Sequence, residues 1–133
     1  YEGQTAIELE ALAARAENGA YPLPLSGQTL LLGPFWEALV RDLLAGLALP
    51  LLAARIHNSI VAASISACDA IRAADGLQTV ALSGGVWQNQ YLLERTCAAL
   101  ENRGFKVLIH HQVPANDGGI SLGQAVIAGW QHH

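Results

Sequence analysis

Val80-Ala81-Leu82-Ser83-Gly84-Gly85-Val86-Trp87-Gln88-Asn89 is the stretch that decides the fold. A short apolar strand, Thr79 to Leu82, ends at two glycines and gives way to a helical pattern running from about Gln88 to Arg103. Such a turn lets backbone N–H groups approach an anion with no Cβ in the way, and the start of a helix adds a favourable field. Two glycines also simply turn a corner at a strand end. The spacing is neither a P-loop nor a dinucleotide fingerprint, so the motif needs support from elsewhere in the chain.

That support lies downstream. Gly104 breaks the helix, Phe105 to Ile109 make a second strand, residues 110 to 117 a loop, and Gly118 to Trp130 a final helix. Strand, helix, strand and helix in succession imply parallel pairing with a right-handed crossover. The segment Val113-Pro114-Ala115-Asn116-Asp117-Gly118-Gly119-Ile120-Ser121 is then a second glycine turn that ends a strand and opens a helix. In a parallel sheet both turns lie at the carboxyl ends of strands, where ligands of open α/β sheets collect. Asp117 is suited to ligating a metal, or to positioning a phosphate through one, and equally to capping the helix behind it.

Upstream the pattern is helical. Thr5 to Asn18 are helix formers with apolar positions at Ile7, Leu9, Leu12 and Ala13, and Gly19 stands where a C-terminal cap belongs. Residues 20 to 32, with Pro22 and Pro24, read as extended chain or an edge strand, because each proline removes a ladder donor. Gly33-Pro34 starts a helix to about Leu47, and a longer one from about Pro50 to Ala74 places Ile56, Ile60, Ala63 and Ala67 on one face before Asp75-Gly76 stops it.

The 133 residues, 52% of them hydrophobic, suffice for one α/β domain and not two. A net charge of -4 with no cluster of cations argues against nucleic acid as a partner. The apolar run Leu39 to Ala54 is broken by Arg41, Asp42 and Pro50, too soon for the roughly 20-residue span of a bilayer, so no membrane is expected. Cys68 and Cys97 form no CxxC pair, which fits a reducing cytoplasm; both sit among alanines in helical patterns and read as small buried hydrophobes. The first residue is Tyr1 and the last two are His132-His133, and the chain reads as a piece of something longer.

Three separated motifs carry a family resemblance. Leu82 to Asn89 with Leu92-Leu93-Glu94, then Gly104-Phe105-Lys106-Val107, then His110 with Val113 through Ala125 together resemble the C-terminal end of HypF-type carbamoyltransferases of [NiFe]-hydrogenase maturation. The opening Tyr1-Glu2-Gly3-Gln4 is similar to the same family further upstream. The resemblance implies the second lobe of an actin-like, ribonuclease-H-like fold, helix-rich with a short, mostly parallel sheet, shared with tRNA threonylcarbamoyl-transferring enzymes and antibiotic O-carbamoyltransferases. It also implies the chemistry: carbamoyl phosphate and ATP become carbamoyl-adenylate, and the carbamoyl group passes to the C-terminal cysteine thiolate of a HypE-type partner.

On that resemblance Ser83, Gly84, Gly85, Asn89 and Gly118 belong to the phosphate and carbamoyl region, Glu2 and Gly3 to the ribose, and Asp117 to a divalent metal ion. Asn89 is the candidate catalytic group, hydrogen-bonding the flat carbamoyl moiety while backbone donors and a cation stabilise developing charge. No residue is needed as a nucleophile. The family's His-x-x-x-His metal pair has no counterpart: His57 stands alone as a packing residue, and His110 and His111 are adjacent. Trp87 reads as core. Two other readings compete, an actin-like sugar kinase or ATPase half-domain and a non-catalytic docking module.

Overall fold

The computed structural model describes residues 3–130. Its centre is the helix α3 (Leu49–Asp75), which Pro50 opens in the first turn and Gly76 closes with a left-handed φ of 71°. Strands β3 (Thr79–Leu82) and β4 (Lys106–Ile109) pair in parallel, Thr79 opposite Lys106 and Leu82 opposite Ile109, with α4 (Gln90–Asn102) between them in sequence. Ile65 of α3, Leu82, Leu100 and Phe105 form the buried cluster that joins sheet and helices, and Trp87, Cys68 and Cys97 pack against it as partly buried neighbours. Arg72 lays its guanidinium 4.1 Å above the Phe105 ring, closing the lower edge of this core.

The N-terminal part packs on the other end of α3. Helix α1 (Gln4–Leu12) leads through an irregular segment into a hairpin of two-residue strands, β1 (Leu25–Ser26) and β2 (Thr29–Leu30), and then α2 (Gly33–Leu44). Tyr21, Phe35 and Leu52 make a second cluster, with the Tyr21 and Phe35 rings edge to face at 5.8 Å. Asp42 draws three elements together: its carboxylate accepts from the Tyr21 hydroxyl at 3.0 Å and from Arg55 at 2.8 Å.

Three expectations need correction. Helix α1 stops at Leu12, not Asn18, and Ala13 caps it in place of Gly19. The reason is long-range: the Ala14 N–H bonds to the Pro50 carbonyl, Asn58 donates to the carbonyls of Glu17 and Gly19, and the Tyr21 N–H bonds to Ser59 Oγ. These contacts outweigh the intrinsic preference of alanines for helix. Helix α2 likewise ends three residues before Leu47, where Gly46 turns left-handed at φ 77°.

The buried face of α3 is the third. It runs through Leu52, Ala53, Ala54, His57, Asn58, Ser59, Ala63 and Ile65, so of the expected stripe only Ala63 is fully buried and Ile60 is 38% exposed. Three consecutive polar residues occupy the inner face because each has a partner there. Helix α3 also reaches the length and hydropathy of a membrane span, which the apolar run from Leu39 did not suggest. Of that apolar window 44% is buried in this fold, and the hydrogen-bonded His57, Asn58 and Ser59 on its inner face are those of a central packing helix.

Candidate functional site

The two glycine turns meet. Gly84 adopts φ 103° and ψ 162°, a conformation open only to glycine, and its N–H donates to the Ala115 carbonyl at 2.7 Å. This bond ties the end of β3 to the loop after β4. Beyond the last paired residues, Leu82 and Ile109, the next two positions face each other as well: Ser83 Oγ and His110 Nε2 are 2.9 Å apart.

The chain does not enter α4 directly, as its sequence suggests. A 3-10 turn, Gly85–Gln88, intervenes, and Asn89 is the N-cap of α4, its Oδ1 accepting the Leu92 N–H at 2.9 Å. The amides of Gly85 and Val86 open that turn, and its internal hydrogen bonds do not use them. Asn89 Nδ2 meets His57 Nε2 at 2.9 Å, and His57 Nδ1 stands 2.7 Å from the Ala53 carbonyl. Each end of the Asn89 amide thus spends one hydrogen bond on the protein and keeps one for a ligand.

In the second turn the capping residue is Asn116. Its Oδ1 accepts the Gly118 N–H at 3.0 Å, and the short turn Asp117–Gly119 follows. Capping therefore does not occupy Asp117, whose exposed carboxylate has no partner among the described residues. Gly118 contributes a small surface; its N–H is already committed to Asn116. A Cβ on Gly119 would lie 2.9 Å from the Pro114 carbonyl oxygen, so the loop closes on itself there.

Three concavities adjoin these turns. A largely apolar cavity of about 540 Å³ lies between α1, α3 and the start of α4, lined by Gly3, Glu10, Ile60, Val86, Asn89 and others. A second, of about 510 Å³, connects Gly3, Gly85 and Gln88 with Asn116, Asp117 and Gly118. The third, about 210 Å³, is floored by Ser83, Gly84, His110, Asn116 and Asp117. Ser83, Gly3, Gly84, Gly85, Asn89, Asp117 and Gly118 are thus brought to one side of the molecule; Glu2 lies outside the described residues.

Three residues that sequence reasoning did not place at the site also stand here. Glu10 lines the apolar cavity and accepts the Tyr91 N–H at 3.2 Å, His57 orients Asn89, and His110 reaches Ser83. The strand register signals only the last. Cys68 and Cys97 stand away from these concavities, and burial raises both thiols above their ordinary range, with Asp69 and Glu101 adding to the effect.

As a metal ligand Asp117 fits by charge and exposure, but among the described residues no three His, Cys, Asp or Glu side chains gather to complete a coordination shell.

A parallel β-α-β unit whose strand-end turns share one face, backed by a long central helix, defines the second lobe of an actin-like α/β domain. Residues 1–124 match the family model described as carbamoyltransferase, Kae1-like domain, second subdomain, and the chain belongs to the HypF carbamoyltransferase family. It is 37% identical over 127 residues to the carbamoyltransferase HypF of Synechocystis sp., and 36% identical over 129 residues to that of Rhodobacter capsulatus. These alignments cover 93% and 96% of this chain and 16% of each relative, so the chain spans about a sixth of their length. A crystal structure of full-length HypF in its phosphate- and nucleotide-bound form superposes with a TM-score of 0.88 at 39% identity, over 96% of this chain and 17% of that one.

Proposed function

We propose that this chain is the second lobe of a longer carbamoyltransferase and supplies the phosphate- and carbamoyl-facing half of its active site. The observation that carries the reading is the union of the two turns: the Gly84–Ala115 hydrogen bond sets Ser83 and the Gly85 amide beside Asp117, whose carboxylate has no partner among the described residues. The substrates proposed are carbamoyl phosphate and ATP, which with water yield carbamoyl-adenylate, phosphate and pyrophosphate. The acceptor is the C-terminal cysteine thiolate of a HypE-type maturation protein, whose attack on the carbamoyl carbon expels AMP. A thiolate acceptor suits a reducing, cytoplasmic location.

Within that reading the apolar cavity beside Gly3 holds the base and ribose. The amides of Gly85 and Val86 face the phosphate. Asn89 offers its spare N–H and lone pair to the carbamoyl amide, the kind of planar polar group its own amide matches. Asp117 supplies one ligand to a divalent metal ion. Such an ion, when bound, neutralises charge on the leaving phosphate.

By itself the chain is proposed to be inactive, because a nucleotide pocket normally buries most of its ligand and here stands open to one side. The test is to incubate the longer protein, and separately this chain, with ATP, carbamoyl phosphate, Mg²⁺ and a HypE-type partner, and to follow the partner's C-terminal cysteine by mass spectrometry. A carbamoyl adduct with the longer protein alone is expected. Absence of the adduct from both overturns the assigned reaction, and its formation by this chain overturns the requirement for a second wall. A kinase half-domain draws no support from the site: among the described residues lining the third concavity, Asp117 is the only carboxylate, and the loop around it fits the carbamoyltransferase family.

A further inference from the structure

We propose that His110 is a positioning residue that commits the Ser83 hydroxyl to donating a hydrogen bond to a bound phosphoryl group; the inference rests on the phosphate reading above. Ser83 and His110 follow the last paired residues of β3 and β4, so the sheet itself fixes their separation. Their side chains meet at 2.9 Å on the wall of the 210 Å³ concavity that also holds Gly84, Asn116 and Asp117.

Two arrangements satisfy this contact. Either the hydroxyl donates to Nε2, or Nε2–H donates to Oγ and leaves the Ser83 O–H free to point outward. An anion in the concavity selects the second, because a donor directed at negative charge is worth about twice a neutral hydrogen bond. In that arrangement the imidazole need not touch the ligand. It turns a rotating hydroxyl into an oriented donor on the same rim as the Asp117 carboxylate, where a phosphoryl group needs donors to offset like charge.

A nucleophile and base pair is a different use of serine and histidine, and the geometry does not favour it. A catalytic base is held by a third group, whereas no described residue hydrogen-bonds His110 Nδ1. Stability is not its purpose either, since both side chains are exposed and one exposed hydrogen bond adds little.

The experiment is calorimetric titration of the longer protein with ADP and, in parallel, with adenosine, which lacks the phosphoryl groups. His110→Ala is expected to weaken ADP on the order of tenfold, the effect of losing one oriented donor to a charged group, with adenosine affinity unchanged. His110→Gln, which restores an N–H at a comparable reach, is expected to recover most of the loss. Ser83→Ala and the double variant are expected to bind ADP equally, because the histidine acts only through the serine. Matching melting temperatures check that each variant folds.

Wild-type ADP affinity in His110→Ala, equal weakening of adenosine, or additive losses in the double variant overturns the inference while leaving the nucleotide reading intact. A wild-type protein that binds neither ADP nor adenosine overturns that reading and this inference with it.

Discussion

Asn89 and His57 hold each other in one state. The Leu92 N–H fixes which end of the Asn89 amide is oxygen, so Nδ2 is the atom 2.9 Å from His57 Nε2. Nε2 must then accept, and the ring proton sits on Nδ1, where it donates to the Ala53 carbonyl at 2.7 Å. The backbone of α4 thereby sets the tautomer of a histidine on α3 that is only 3% exposed.

Replacing Asn89 tests this chain of bonds. Asn89→Ala removes a helix cap worth about 1 kcal/mol and leaves the buried Nε2 without a partner, a further 1–3 kcal/mol. A loss of roughly 2–4 kcal/mol in chemical denaturation is expected. Asn89→Asp keeps the cap but presents an oxygen to Nε2 while the Ala53 carbonyl still faces Nδ1, so a proton is expected on both ring nitrogens, which ¹⁵N spectra of the imidazole report directly.

The two adjacent glycines should separate in stability. A side chain on Gly84 meets nothing within 4 Å, but the φ of 103° strains any other residue by about 1–3 kcal/mol. Gly85 is equally open and its φ is not positive, so Gly85→Ala is expected to leave the thermal midpoint nearly unchanged. If its amide faces phosphate, the same variant lowers ADP affinity, measured by calorimetry on the longer protein.

Asp117→Asn is expected to cost less than about 0.5 kcal/mol, since the carboxylate is exposed, has no partner among the described residues, and the cap belongs to Asn116. Metal content by elemental analysis is expected to fall with activity in the longer protein. Unchanged metal content rules out Asp117 as a ligand.

Tyr21 gives a pH prediction. Burial, and then the Asp42 carboxylate that accepts its hydroxyl, push its pKa up from 10.0 to about 12. The folded protein therefore holds this proton more tightly than the unfolded chain, and the stabilisation is complete below pH 10. It is lost as pH rises from 10 to about 12. Tyr21→Phe is expected to flatten that part of the stability curve, measured as urea midpoints at intervals of pH.

Glycine punctuation made the β-α-β unit legible: β3 falls on the residues expected, β4 begins one residue later, and α3 is placed to within a residue at each end. Helix α1 was misread because its end is decided by Asn58 and Ser59, some forty residues away, which no local pattern encodes. The inner face of α3 was misplaced for a related reason: apolar spacing alone cannot register His57, Asn58 and Ser59 as buried. In the second turn Asn116 and Asp117 are both fit to cap, and only backbone geometry distinguishes them. The Asn89 cap did leave a signal, an Asn just ahead of an apolar helical run, and the Ser83–His110 contact follows from aligning the two strands.

The bond from the Gly84 amide to the Ala115 carbonyl makes the two turns mechanically continuous. The backbone that carries Asp117 is bonded to the backbone that presents Ser83, so a ligand held at one loop is expected to order the other. The two turns are then expected to order as one element, a change at either being felt at the other. The exchange rate of one amide hydrogen, that of Gly84, is its natural gauge.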